Sequence, residues 1–385
     1  MDEITIIGGG IAGLIAASEV AESGARVRLL EGRRQLGGRA RSTEAPYVAN
    51  HGPHALYTTT DLWRWLRARN LHRPSRMPRR PSLRVRWKGE MRRTPPPGWL
   101  RAVRLSRQTA PVDQDLRSWA TDLAGEDVAQ MLAGVAGPLT FDHDPGRLSA
   151  DFVVSRIRSI LLQPVPPARY VVGGWGALVD RMAGHARTVG VRIETASPVA
   201  SVHEVTSGPV IVAVDPGQAR RLLADDGLRV ESPRVALLDV GVMRRRGDPY
   251  IISDLDEAVF LTRASAVVPT LAPRGQELAQ LSVGLRPDEG LASGEARLEA
   301  VLDDGFRGWR DRVTWRRRGL VTESTGALDL PGTTWRDRPK MAYADGVWLA
   351  GDWVAAPGHL ASVSCNSAVQ AARAAVGALA SATMI

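Results

Sequence analysis

The strongest constraint on the fold of this chain lies in its first 23 residues. A short apolar run, 3–8, leads directly into a glycine-rich turn, residues 8–13, which reads Gly-Gly-Gly-Ile-Ala-Gly. An alanine-rich stretch then continues with helical character to Ser23. The turn therefore matches G-x-G-x-x-G in the strand–turn–helix context that this pattern requires. We predict that it binds a dinucleotide.

Each glycine of this pattern has a separate physical role. Gly8 permits a tight turn, Gly10 lets the backbone approach a pyrophosphate, and Gly13 allows the helix to pack closely on the strand. The N–H groups at the start of the helix, around Ile11 and Ala12, are free to bind phosphate oxygens. We therefore predict that all five residues contact the cofactor.

The next strand, 25–31, completes a βαβ unit and ends in a carboxylate. Glu31 follows Gly13 by 18 residues. An acidic side chain in this position binds a ribose hydroxyl. This opening predicts a parallel sheet covered by helices, but it does not distinguish a flavin dinucleotide from a nicotinamide dinucleotide.

The segment 31–41 resembles the E-x-R…G-G-R signature of the flavin amine oxidase, phytoene desaturase and protoporphyrinogen oxidase superfamily. It reads Glu-Gly-Arg-Arg-Gln-Leu-Gly-Gly-Arg-Ala-Arg. The resemblance implies that FAD is the cofactor, that arginines meet its phosphates and that the double glycine lies near the flavin. Arginine suits this role because its fork matches phosphate oxygens. The implied cofactor residues of the segment are Glu31, Gly32, Arg33, Gly37, Gly38 and Arg39.

The resemblance continues to the C-terminus. It implies that 50–56 lies against the flavin ring and that Gly173-Gly174 leads back into the flavin domain. It also implies that Val199, at the start of a strand predicted over 198–205, packs by the adenine. A strand at 346–350 ends in Gly-Asp, and a helix predicted from Gly358 points its N-terminus at the flavin. The further implied cofactor residues are His51, Gly52, Pro53, His54, Val199, Gly351, Asp352 and Leu360.

The order of the predicted elements indicates two interleaved domains. The predicted fold is α/β, with a discontinuous Rossmann-like FAD-binding domain of the glutathione-reductase type and an α+β substrate domain of mixed sheet and helices. We assign 1–70, 170–232 and 340–385 to the FAD-binding domain. The substrate domain then takes 71–169 and 233–339.

Composition narrows the possible partners. The net charge of +9 is the difference between 50 basic and 41 acidic residues. Only Lys88 and Lys340 of the basic residues are lysines, and such an excess of arginine is typical of GC-rich coding rather than of a nucleic-acid surface. One cysteine, an acidic N-terminus and no long apolar run predict a cytoplasmic protein. We expect a small-molecule substrate, no nucleic acid and a possible peripheral membrane contact through 76–105. The oligomeric state is left open.

The scarcity of lysine bears on the chemistry. Many amine oxidases of the superfamily keep a lysine that binds a water at the flavin, within a segment that corresponds to 233–330. This chain has no lysine between Lys88 and Lys340. His359 also stands where these enzymes place an aromatic residue. We therefore expect a desaturase-like or protoporphyrinogen-oxidase-like dehydrogenation more than a standard amine oxidase.

The candidate catalytic residues are His54 and His359, as pocket residues that face flavin or substrate. His51 is expected to position the cofactor. His143 stands between two aspartates, and we interpret this triplet as a solvated turn, so no metal site is predicted.

These patterns predict an FAD-dependent oxidoreductase that moves a hydride from a small or apolar organic substrate to flavin N5, with dioxygen or another acceptor completing the cycle. Three alternatives remain: an atypical flavin amine oxidase, an FAD-dependent isomerase or mutase without net redox change, and a non-catalytic protein like the prenyl-binding chaperones.

Overall fold

The computed structural model describes residues 3–78, 82–165, 167–205 and 208–382. Its first sheet is six-stranded, and every neighbouring pair is parallel except the first. The strands in spatial order are β15 (Ala342–Ala344), β16 (Val347–Leu349), β9 (Val210–Val212), β1 (Ile4–Ile7), β2 (Val27–Leu30) and β8 (Arg192–Glu194). β1 is buried along its whole length, as a central parallel strand covered on both faces must be.

Five helices accompany this sheet: α1 (Ile11–Glu22), α2 (Asp61–Ala68), α7 (Gly174–Thr188), α8 (Pro216–Leu223) and α10 (Ala361–Ala382). α1 packs against both α7 and α10, and alanines along α1 and α10 let the two axes approach closely. The C-terminal helix begins at Ala361, three residues later than predicted. In the described residues no helix is long and apolar enough to cross a bilayer.

The second sheet has seven strands and is antiparallel except between β11 and β5. In spatial order the strands are β14 (Val313–Val321), β10 (Val235–Met243), β13 (Gln276–Gly284), β12 (Phe260–Thr262), β11 (Ile251–Asp254), β5 (Leu83–Trp87) and β6 (Glu90–Arg92). α9 (Leu291–Gly305) covers β10 and β13. The hairpin predicted around residues 88–90 is present, with a two-residue turn in which Lys88 and Gly89 both have positive φ.

A helical cluster and a small sheet complete the fold. The cluster consists of α3 (Trp99–Leu105), α4 (Leu116–Ala124), α5 (Glu126–Thr140) and α6 (Ala150–Ile160), and the small sheet of β3 (Leu56–Tyr57), β7 (Ala168–Val171) and β4 (Ser75–Arg76). All strands of the six-stranded sheet come from the three segments assigned to the FAD-binding domain, and all strands of the seven-stranded sheet from the other two. The boundaries themselves remain our proposal.

The strand predicted over 198–205 is wrong. This segment contains a 3-10 turn, Val202–Glu204, and no strand. Val199, Val202 and Val205 recur every three residues, which is the spacing of a 3-10 turn rather than the two-residue period of a strand, and all three pack on the same apolar cluster.

Candidate dinucleotide-binding site

The glycine turn has the geometry that its sequence predicts. Gly8 has φ of +108°, and a Cβ on Gly13 would lie 1.8 Å from the Gly8 carbonyl oxygen, so helix and strand touch here without a side chain between them. A Cβ on Gly10 would meet nothing within 4 Å. Gly8 therefore forms the turn, Gly13 makes the contact between helix and strand, and Gly10 leaves space for a ligand to approach the backbone.

The N-terminus of α1 fits an anion. Gly10 is its N-cap, no side chain caps it, and the first turn contains no acidic residue. Ile11 and Ala12 lie in this turn, where backbone N–H groups have no partner inside the helix. An uncapped helix N-terminus under open space is a phosphate-binding arrangement.

Glu31 lies beside the same turn. One of its carboxylate oxygens accepts a hydrogen bond from the Gly9 N–H at 2.8 Å, and the other accepts from the Arg33 N–H at 2.8 Å. These two bonds hold the carboxylate at the end of β2 and leave each oxygen able to accept a further bond from a hydroxyl group. Gly9 is a site residue that the sequence pattern did not single out.

The neighbours of Glu31 differ in how far the structure constrains them. Gly32 lies against Pro198, which a Cβ would approach to 3.5 Å, and so brings Val199 close to the end of β2 although no strand is present. The Arg33 carbonyl accepts a hydrogen bond from the Ala196 N–H at 2.9 Å, and the residue is exposed. Contact of the Arg33 guanidinium with a phosphate stays a prediction.

The double glycine returns to the turn. The Gly37 N–H donates to the Gly9 carbonyl at 2.8 Å, and a Cβ on Gly38 would lie 3.7 Å from the Gly10 Cα. The structure thus brings the two glycine segments together, with bare backbone on both sides of the space above Gly10.

The N-terminal and C-terminal motifs meet at one ion pair. Arg39 donates to a carboxylate oxygen of Asp352 at 2.5 Å, and also to the Glu323 carbonyl at 3.1 Å. Gly351 is held by a hydrogen bond from its N–H to Ser367 of α10 at 3.0 Å. Residues more than 300 positions apart therefore form one edge of the site, as the resemblance implies.

Segment 50–54 lies between the two sheets. The Asn50 carbonyl accepts bonds from Gln280 at 2.9 Å and from Arg317 at 2.6 Å. The His54 ring meets the Trp175 ring edge-on, with centroids 5.3 Å apart. Gly52 has φ of +117°, which turns the chain between the two histidines. Pro53 makes no hydrogen bond to another described residue, and its contact with the cofactor stays a prediction.

Both histidines of this segment are neutral near pH 7. Burial, with the positive charges of Arg317 and Arg41, lowers the pKa of His51 from 6.5 to about 4. Burial and Arg39 lower the pKa of His54 to about 4 as well. The lowered pKa of each favours the neutral imidazole at physiological pH, in which one ring nitrogen donates a hydrogen bond and the other accepts one.

His359 and Leu360 form the turn before α10. The His359 carbonyl accepts from the Ser362 N–H at 3.0 Å, and Leu360 has φ of +51°. His359 Nδ1 is buried and has no hydrogen-bond partner among the described residues. Burial, followed by the charges of Arg156 and Arg338, lowers the pKa of His359 to about 4.

The segments that carry His54 and His359 reach the same apolar cluster. Tyr57, three residues after His54, and Leu360, directly after His359, both pack on the cluster that contains Phe152. His54, Tyr57 and His359 are each partly exposed, and burial is the largest cause of the pKa shift of each. The rings of Tyr170 and Tyr250, with centroids 6.0 Å apart, add aromatic surface beside Tyr57. We call the region between the two segments the cleft.

The sequence reasoning missed a buried charged cluster beside the cleft. Arg338 is 7% exposed and pairs with Asp329 at 2.7 Å, while Arg156 is 5% exposed. A signal for Arg156 was present, because Phe152, Arg156 and Ile160 recur every four residues and so lie on one helix face. An arginine on the apolar face of a helix is unusual enough to note.

The basic stretch within 76–105 is partly neutralised. Arg86 pairs with Asp254 at 3.1 Å and Lys88 with Asp127 at 2.9 Å. Leu100 is 74% exposed on α3. Residues 79–81 of this stretch lie outside the described residues, and the membrane contact stays a prediction.

Comparison with known proteins supports the fold. Residues 6–68 match the family of NAD(P)-binding Rossmann-like domains. An oxidoreductase from Methanosarcina mazei shares 14% identity at a TM-score of 0.76, covering 97% of this chain and 100% of that one. Cyclohexylamine oxidase from Brevibacterium oxydans shares 16% at 0.72, covering 98% and 99%. The chain therefore shares the fold of these two proteins.

The same fold extends to a reduced UDP-galactopyranose mutase, which shares 16% identity at a TM-score of 0.72 and covers 100% of this chain and 95% of that one. A search of curated protein sequences finds no match. The predicted resemblance and the α/β class with a Rossmann-like domain are therefore confirmed in the fold, and the site is one for a dinucleotide.

Proposed function

We propose that this protein is an FAD-dependent oxidoreductase that dehydrogenates a small organic substrate. The observation that carries the proposal is the convergence of the two glycine segments and the Arg39–Asp352 pair around the open space above Gly10. Bound there, FAD would supply a hydride acceptor at N5. Dehydrogenation also releases a proton, and dioxygen or another acceptor would take up the electrons.

The side chains of this protein divide the remaining work. Gly10 and the N-terminus of α1 would hold the pyrophosphate, Glu31 the adenosine ribose, and Asp352 the ribityl side of the cofactor. The cleft side chains His54 and His359 would orient the substrate as neutral hydrogen-bonding groups. The aromatic walls would keep water away from the reacting carbon.

The amine oxidase alternative is less well supported. No lysine occurs between Lys88 and Lys340, and the cleft end at His359 lies near the positive charges of Arg156 and Arg338. A cationic or cation-forming amine is repelled by such a cluster. Peroxide produced from a panel of primary amines would restore this alternative.

A mutase-like function without net redox change is the second candidate, favoured by the likeness to UDP-galactopyranose mutase. It predicts turnover only after chemical reduction of the flavin, with no acceptor consumed. The oxidoreductase predicts the reverse, namely flavin bleaching when substrate is added without oxygen. The prenyl-chaperone alternative lacks support, since both glycine segments and Gly351-Asp352 are intact.

Flavin binding by the purified protein tests the proposal. We expect the absorption spectrum of bound flavin, and at least a tenfold loss of FAD affinity in Asp352→Asn, because this change removes the charge partner of Arg39. Asp345→Asn, at an exposed turn between β15 and β16, is the matched control and should bind FAD normally. A protein that stays colourless after FAD is added would overturn the proposed function.

A further inference from the structure

Arg156 is a buried cation held in a defined orientation. It is 5% exposed on the core face of α6, and its guanidinium Cζ lies over the Phe152 ring, 3.3 Å from the ring centroid. Its Nη1 group donates to the Phe152 carbonyl at 3.2 Å. Nη1 is therefore occupied, whereas Nε and Nη2, which form the side-on edge of the guanidinium, make no hydrogen bond to a described residue.

That edge has no partner within the described chain. Arg156 Nε is buried without an acceptor, and no described carboxylate lies within ion-pair distance of this side chain. The neighbouring Arg338 is different, because Asp329 accepts from its Nε at 3.0 Å and from its Nη2 at 2.7 Å. Asp329 therefore pairs with Arg338 alone, and the buried positive charge of Arg156 has no described carboxylate as an ion-pair partner.

The guanidinium of Arg156 lies beside the cleft, because the Phe152 ring beneath it belongs to the apolar cluster on which Leu360 packs. Arg156 is close enough to His359 for its charge to lower the pKa of that imidazole, after burial itself. His359 Nδ1 is likewise buried without a partner. Tyr57 and Leu360 pack against the same apolar cluster as Phe152. Two nitrogen atoms without a described partner, of Arg156 and His359, therefore lie near an apolar surface beside the turn that precedes α10.

We propose that Arg156 and His359 bind the carboxylate of an anionic organic substrate whose apolar part lies against Phe152, Tyr57 and Leu360. The inference rests on the proposed function, since it names the substrate class of the same cleft. A side-on guanidinium edge matches the two oxygens of a carboxylate, and a neutral imidazole can donate one further bond. A carboxylate also balances the single uncompensated charge, whereas a phosphate dianion would exceed it.

Calorimetric titration of the purified protein, with its FAD content measured by absorbance, tests this assignment. The probes are benzoate, benzamide, benzylamine and inorganic phosphate at pH 7.5. We expect benzoate to bind at least ten times more tightly than the other three. In Arg156→Met we expect a 10- to 100-fold loss of benzoate affinity, while FAD content stays unchanged. Arg101→Met, at an exposed arginine of α3, is the matched control and should bind benzoate like the parent chain.

A thermal melt separates substrate binding from a structural role. Removing an uncompensated buried charge should leave the melting temperature of ligand-free Arg156→Met unchanged or raised, whereas loss of a structural contact would lower it. Unchanged benzoate affinity in this variant, or tighter binding of benzylamine, benzamide or phosphate than of benzoate, would overturn the inference. A protein that binds benzoate but no FAD would refute only the flavin function. A protein that binds FAD but not benzoate would refute only the substrate class.

Discussion

Gly13→Ala should lower the stability of the protein and Gly10→Ala its affinity for FAD, although the two residues lie three positions apart in one turn. A Cβ at Gly13 would lie 1.8 Å from the Gly8 carbonyl oxygen, while ordinary contact begins at 3.4 Å. The helix would have to move by about 1.6 Å, and overpacking of this kind costs up to about 3 kcal/mol. A Cβ at Gly10 meets nothing within 4 Å, and Gly10 has ordinary negative φ.

We therefore expect Gly13→Ala to lower the melting temperature of the FAD-free protein by about 5 °C or more. Gly10→Ala should change it by less than about 2 °C, because the weaker N-cap is offset by the reduced freedom of the unfolded chain. Its FAD affinity should fall at least tenfold, which is about 1.4 kcal/mol, because the new methyl group occupies the approach to the pyrophosphate.

Scanning calorimetry of the FAD-free protein and FAD titration by flavin fluorescence measure the two effects. Gly184→Ala in α7 is the matched control, since its Cβ also meets nothing within 4 Å, and it should leave both quantities near their parent values. If Gly10→Ala unfolds as early as Gly13→Ala while binding FAD like the parent, then the division between packing and approach is refuted.

Two further predictions concern buried charges. His54 and His359 have folded-state pKa values of about 4, against 6.5 in the unfolded chain, so their contribution to stability is complete above pH 6.5 and is lost as the pH falls toward 4. In the double variant His54→Gln, His359→Gln, the melting temperature should therefore depend less on pH between 7.5 and 4.5. An unchanged slope of melting temperature against pH would contradict this. Arg317→Met should lower the free energy of unfolding by about 3–5 kcal/mol in urea titrations, because it leaves the fully buried Asp239 carboxylate without its cation. The exposed Arg318→Met on the same strand should change it by less than about 1 kcal/mol, and equal losses would argue against the buried pair.

Helix and strand positions were largely readable from the sequence, and the exceptions have local causes. The strand predicted over 198–205 is wrong because the valines of this segment recur every three residues, which does not match the two-residue period of a strand. The last helix begins at Ala361 rather than Gly358, since Gly358 and Leu360 both have positive φ and cannot continue a helix.

The candidate site divides in the same way. The glycine turn and Glu31 were predictable, because each role depends on backbone geometry within one βαβ unit, whereas the double glycine was implied only by the superfamily resemblance. The resemblance implied that Arg39 and Asp352 both reach the cofactor, but their ion pair was not predicted, since no local rule connects residues so far apart. The unpaired state of Arg156 could not be predicted, because the sequence does not say which carboxylates reach it.

The sequence by itself determined that the chain opens with a dinucleotide-binding turn, because glycine is the only residue that fits the contact between Gly13 and the Gly8 carbonyl. Only the tertiary structure decided which charges are compensated. Arg338 forms an ion pair with Asp329, whereas Arg156 forms none with a described carboxylate. This difference depends on how α6 and the segment before β15 pack together. Backbone geometry is encoded locally, whereas the balance of buried charge is a property of the assembled core.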